Sequence, residues 1–188
     1  MFQKEAYLDQ PFINRLPVNI REEIATHGIR NSHLLSIAPT GSISILANNI
    51  SGGLEPAFDF TYNRKVLNAD GTRTTHTVVD YAYQLWKNKY KSETPLPDYF
   101  VNANQLSPGE HLKMQAALQP YVDHSISKTI NIPENFSFEA FENVYQSAYN
   151  KGLKGCTTFR PNPVTGAILE QSDQGAQVHC CTLDREAD

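Results

Sequence analysis

Thr40, Ser42 and Ser44 place hydroxyl side chains at alternate positions around a turn set by Pro39 and Gly41, within Leu34-Leu35-Ser36-Ile37-Ala38-Pro39-Thr40-Gly41-Ser42-Ile43-Ser44. This spacing suits an anion site. The apolar run Leu34 to Ile37 predicts a buried strand, Pro39 and Gly41 predict a tight turn, and Thr40 or Ser42 can cap the helix that follows. Amides in the first helical turn have no partner within the helix, and their aligned dipoles favour a negative group such as phosphate. The alternative is an ordinary strand-turn-helix corner whose hydroxyls only cap. The segment is not a Walker loop, because no Gly-Lys-Ser/Thr follows.

The three cysteines are Cys156, Cys180 and Cys181. An odd, small number does not make a secreted disulfide framework and fits a reducing compartment. His179-Cys180-Cys181 lacks the C-x-x-C spacing that lets two thiolates converge on zinc, so it reads as exposed thiols in a tail, and no metal site is expected.

The elements around the turn follow from local pattern. Ile20 to Ala25 has helical spacing and stops at Gly28, where a positive φ is tolerated. Ile43, Ile45, Leu46 and Ala47 make a brief helix that Asn48-Asn49 and Ser51-Gly52-Gly53 end. Phe58, Phe60, Tyr62, Val66 and Leu67, then Asn68-Ala69-Asp70-Gly71, then Thr72 to Thr77, read as a hairpin. Val78 to Tyr90 reads as a helix with Val79, Tyr83, Trp86 and Tyr90 near one face and Trp86 as a core anchor. Ser107-Pro108-Gly109-Glu110 is a capping box opening a helix through Met114 and Leu118 that Pro120 ends or kinks. A second helix starts near Ser137, presents Phe138, Phe141, Val144, Tyr145 and Ala148, and stops at Gly152. Lys154 to Arg160, bounded by Pro161, reads as a short strand, with Cys156 as a small buried thiol. Strands alternating with helices predict an α/β fold with mainly parallel pairing.

At 188 residues, with 40% apolar and 19% charged residues, the chain can bury a core and is no disordered tail. A net charge of −4 argues against a broad basic surface for nucleic acid or for an acidic membrane. No apolar run approaches the roughly 20 residues that cross a bilayer, and the start has no signal-peptide pattern, so a cytoplasmic protein is expected. Residues 1–170 read as one segment and 171–188 as a polar linker or truncated tail.

Five ordered motifs together resemble one family: Ala38 to Ser44, Gly53-Leu54-Glu55-Pro56, Tyr62 to Leu67, Asp123-His124-Ser125-Ile126-Ser127-Lys128-Thr129-Ile130-Asn131, and Gly155-Cys156-Thr157-Thr158-Phe159-Arg160. From about Asn31 to Gly166 the chain resembles the C-terminal part of the large chain of adenosylcobalamin (vitamin B12)-dependent, class II ribonucleotide reductases. The resemblance implies the last portion of a ten-stranded α/β barrel, incomplete on its own. It also implies that Pro39, Thr40, Gly41, Ser42, Ile43 and Ser44 hold the phosphates of a ribonucleotide substrate. Glycine at 41 lets phosphate approach the backbone closely. By the same resemblance, Ser125, Ser127 and Lys128 line the site or simply cap and pack, with Lys128 either a phosphate partner or a solvated lysine. Pro56 fixes Glu55 as extended, and Glu55 reads as an acceptor for backbone donors rather than a catalytic acid.

The last barrel strand separates branches of this superfamily. Diiron reductases carry a tyrosine pair there to relay a radical, whereas this chain has Thr157-Thr158-Phe159. Alkyl hydroxyls and a plain phenyl ring are far harder to oxidise than phenol, so the resemblance implies adenosylcobalamin as the radical source in the complete enzyme. The thiyl-radical cysteine, the reducing thiols and the acid/base carboxylate lie upstream in the family, so no catalytic residue is expected here. The implied partners are the N-terminal part of the reductase and a thioredoxin-type reductant. A non-catalytic nucleotide-binding or assembly fragment of such an enzyme is the alternative.

Overall fold

The computed structural model describes residues 2–90, 94–160 and 169–171. The chain opens with α1 (Lys4–Leu8), a 3-10 turn at Ile13–Arg15 and α2 (Val18–His27). Gly28 ends α2 with φ 80°, and its amide donates to the Ile24 carbonyl at 2.8 Å. After the extended 34–37 segment come α3 (Gly41–Leu46), the hairpin β1 (Thr61–Leu67) and β2 (Arg73–Val79), and α4 (Tyr81–Lys89). Then follow α5 (Pro108–Leu118), β3 (Thr129–Asn131), α6 (Phe138–Asn150), β4 (Thr157–Phe159) and β5 (Leu169–Gln171).

Three segments run parallel and side by side. Ile37 bridges Ile126, with the Ile37 amide donating to the Ser125 carbonyl and the Ser127 amide donating back to Ile37. The opposite edge of the same stretch pairs with β4, in the register Thr129↔Thr157, Ile130↔Thr158 and Asn131↔Phe159. Residues 125–131 are therefore the middle strand of three. α5 and α6 cover this sheet, and Leu112, Ile130, Ile132, Val144 and Ala148 form the core with Phe141, Leu153 and Cys156 packed around it. Full burial of Leu112 and Ile130 contributes roughly 1.5–3 kcal/mol each.

The capping box forms as its sequence requires. The Ser107 side chain accepts from the Glu110 amide, the Glu110 carboxylate accepts from the Ser107 amide, and Pro108 sits where no amide partner is needed. Ser137 caps α6 by accepting from the Ala140 amide at 3.2 Å. The hairpin turns at Gly71, which has φ 83°, and pairs from Thr61↔Val79 to Leu67↔Arg73. Trp86, expected to anchor the core, is half-buried against Tyr90 and Phe100 on a helix with no buried residue.

Several expectations need correction. Pairing is not mainly parallel, because β1 lies antiparallel to both β2 and β5. Among the described residues no barrel closes and ten strands are not present. Leu34 and Leu35 are 58% and 52% exposed, because among the described residues their segment has a neighbour on one edge and no element covers its face. Val78 and Val79 belong to β2; the helix begins beyond them, where Asp80 accepts the Tyr83 amide. The buried side of α5 carries His111, Leu112 and Gln115, while Met114 is 55% exposed. Residues 172–188, with Cys180 and Cys181, lie outside the described residues. Among the described residues no helix is long and apolar enough to cross a membrane.

Candidate functional site

The turn between the 34–37 segment and α3 is built as an open corner. Thr40 takes a left-handed conformation, φ 53° and ψ 28°, and so reverses the chain into α3. Its side chain makes no capping bond, contrary to the expected role of Thr40 or Ser42 as a side-chain cap. The first rung of α3 is the Ser44 amide donating to the Thr40 carbonyl at 2.9 Å. The amides of Gly41, Ser42 and Ile43 therefore precede the ladder and belong to the helix end that attracts anions. A Cβ at Gly41 would meet nothing within 4 Å, so the space beside this backbone is open. Pro39, Gly41, Ser42 and Ile43 are exposed. Ser44 is half-buried, and its hydroxyl donates to the Ile50 carbonyl.

Behind the turn lies a loop whose two glycines have a steric reason. A Cβ on Gly52 would stand 2.6 Å from the Pro39 carbonyl oxygen, and one on Gly53 would stand 2.4 Å from that of Ala38. Gly53 also has φ 57°. No larger residue fits either position without moving backbone. Asn49, also left-handed, accepts from the Tyr62 hydroxyl at 2.9 Å and so ties the far end of α3 to β1.

The same loop continues to Glu55, whose carboxylate reaches the middle strand. It accepts the Thr129 amide at 2.5 Å and pairs with the Lys128 ammonium, which also donates to the Thr129 carbonyl at 2.5 Å. Glu55 is thus the acceptor of a backbone donor that the sequence suggested. Lys128 is not a solvated lysine: its side chain is 1% exposed, because a carboxylate from the loop supplies the partner that lets the charge be buried. Ser125 and Ser127 stand beside the strand that leads into Pro39, joined to Ile37 through their backbones.

Asp123 fixes the start of that strand. Its two carboxylate oxygens accept the amides of Leu34 at 2.7 Å and Leu35 at 2.6 Å. Burial alone would raise the Asp123 pKa, but the Leu35 and Leu34 donors outweigh it and hold the carboxyl below the usual carboxylate value. Sequence reasoning missed this clamp, as it missed the partner of Lys128. Burial raises the pKa of the Cys156 thiol despite nearby Lys128, in keeping with its packing against the Ile130 core. The Thr158 hydroxyl lies 3.0 Å from that of Tyr145 on α6. Among the described residues no group of three or more His, Cys, Asp or Glu is placed to hold a metal ion.

Comparison with known proteins gives these features a context. Residues 13–159 match the family model described as ribonucleotide reductase, barrel domain. A vitamin B12-dependent ribonucleoside-diphosphate reductase of Thermoplasma acidophilum is 31% identical over 157 residues, covering 75% of this chain and 20% of the relative. The ribonucleoside-diphosphate reductase subunit alpha of Mycoplasma pneumoniae is 34% identical over 164 residues, covering 85% and 20%. Among solved structures, the class Id ribonucleotide reductase alpha subunit of Actinobacillus ureae aligns with a TM-score of 0.52 at 20% identity, covering 74% of this chain and 28% of that one. That likeness speaks for the fold. The chain spans about a fifth of the length of the curated relatives it matches. With the family model matching residues 13–159, most of its length, the chain belongs to the ribonucleotide reductase barrel-domain family.

Proposed function

We propose that this chain is part of a ribonucleotide reductase and supplies the turn that holds the substrate's phosphates. Pro39, Thr40, Gly41, Ser42, Ile43 and Ser44 form that turn. The carrying observation is the set of amides from Gly41 to Ile43, ahead of the first helical rung, with open space over Gly41. An anionic oxygen there receives N–H donors and the positive end of the helix without displacing any side chain. Thr40 and Ser42 can add hydroxyl donors from either side, whereas the Ser44 hydroxyl is engaged with Ile50 and acts by bracing the turn. Ser125 and Ser127 flank the strand feeding this corner.

The chemistry at the ribose belongs to the rest of the enzyme: a preceding segment carries the radical cysteine, the reducing thiols and the carboxylate. What this chain does is bind and orient. Gripping the phosphates fixes the distance from turn to sugar, so the ribose is presented to groups it would otherwise meet only at random. A thioredoxin-type protein then returns electrons to the complete enzyme.

The β4 sequence supports adenosylcobalamin as the radical source. Thr157, Thr158 and Phe159 offer no phenol, and Tyr145, whose hydroxyl meets that of Thr158, lies on α6 with its ring partly in solvent. A relay of phenols along β4 is therefore unsupported, and radical generation within the site fits the residues better. When bound, adenosylcobalamin supplies that radical by homolysis of its cobalt-carbon bond. Relatives named as vitamin B12-dependent lend the same support.

The test is assembly. Co-expressed with the preceding segment of the reductase and given adenosylcobalamin, a ribonucleotide and a dithiol, the chain is expected to support deoxyribonucleotide formation. Neither half should do so alone. Stable assembly without product would favour a non-catalytic nucleotide-binding or assembly fragment.

A further inference from the structure

Three observed contacts connect the middle strand to the turn without a gap. Lys128 and the Thr129 amide hold the Glu55 carboxylate; Glu55, in turn, donates its own amide to the Gly52 carbonyl at 3.0 Å; Gly52 and Gly53 lie against the carbonyls of Pro39 and Ala38. The ion pair is buried, with side-chain exposures of 1% for Lys128 and 14% for Glu55. A buried pair is weak evidence for stability, since desolvation offsets most of its attraction, but breaking one partner leaves a charge with nowhere to go. Such a pair resists small displacements of the loop that carries it.

We infer that Lys128 and Glu55 are positioning residues for the phosphate turn, holding the Gly52-Gly53 loop against Ala38 to Thr40 so that the amides of Gly41 to Ile43 keep one orientation. The inference rests on the phosphate-binding reading above. Lys128 then acts through the loop and not by touching the anion, because its ammonium is already engaged by Glu55 and the Thr129 carbonyl. The glycines are part of the same device. Their missing Cβ atoms let the loop seat on backbone oxygens, so motion of Glu55 passes to the turn with little slack.

Hydrogen exchange and ligand titration together test this, using the 188-residue chain assembled with its preceding segment. Glu55→Gln and Lys128→Met are expected to speed amide exchange across residues 38–44 about tenfold, and to weaken binding of pyrophosphate and of cytidine diphosphate by about the same factor. Cytidine affinity should stay unchanged, which a general loss of structure would not allow. Lys128→Arg, which keeps the charge, should recover most of the affinity. Gly53→Ala leaves the pair intact but lifts the loop, and should reproduce the loss even if the charge variants fail to fold. Wild-type exchange and affinity in Gly53→Ala, or in the charge variants, would overturn the inference. Failure of the unmodified complex to bind pyrophosphate would instead sink the phosphate-binding reading, while the exchange data would still decide whether the pair holds the turn.

Discussion

His111 sits on the buried side of α5 with its Nε2 unpartnered, and its pKa lies below the ordinary histidine value. Burial is the main cause and the Lys128 ammonium the next; a hydrogen bond to Ala103 and the carboxylates of Glu55 and Glu110 pull the other way. The unfolded chain takes up a proton near pH 6.5 that the folded ring resists, so this contribution to stability is complete above about pH 6.5 and declines as pH falls below it. Calorimetry is expected to show the unfolding midpoint falling between about pH 7.5 and 5.5, with His111→Gln showing a shallower fall. Some of this scale was legible beforehand. Pro39, Gly41 and the alternating hydroxyls act locally, so their turn could be read from spacing. Glu55 and Lys128 are 73 positions apart, and no local pattern joins them. His111 and Gln115 lie within a helix whose polar residues gave no local sign of which face turns inward.

At the level of elements, signals that carry their own hydrogen bonds were the reliable ones. The Ser107 to Glu110 box and the Asn68 to Gly71 turn appear where the sequence put them because side chains and glycine determine them within four residues. Ser107→Ala should remove the cap from α5, costing about 1 kcal/mol and lowering the thermal midpoint by about 2–4 °C. A midpoint equal to that of the unmodified chain would mean the cap is redundant with packing. Boundaries and burial were harder. Val78 and Val79 fit helical spacing with Tyr83 and Trp86, yet their branched side chains complete the hairpin. Leu34 to Ile37 looks the same in sequence whether its cover comes from this chain or from another.

For the molecule as a whole, that cover is the central issue. Among the described residues the 34–37 segment pairs on one edge, and Leu34, Leu35, Ile43 and Leu46 present apolar surface around the turn. Exposed edges and apolar patches of this kind drive association. Sedimentation of the chain alone should therefore show concentration-dependent self-association, and the preceding segment should replace it with one defined complex. A monodisperse monomer indifferent to that segment would argue against a shared barrel. The α/β class was readable from alternating strand and helix signals, while the pairing was not, because the direction in which β1 pairs depends on partners far along the chain. Gly41 is where phosphate binding is most directly exposed to test. Calorimetric titration of cytidine diphosphate into the assembled enzyme should show Gly41→Val binding about tenfold more weakly or worse, because a side chain there holds phosphate off the amides. Equal affinity in the two proteins would contradict phosphate binding at this turn.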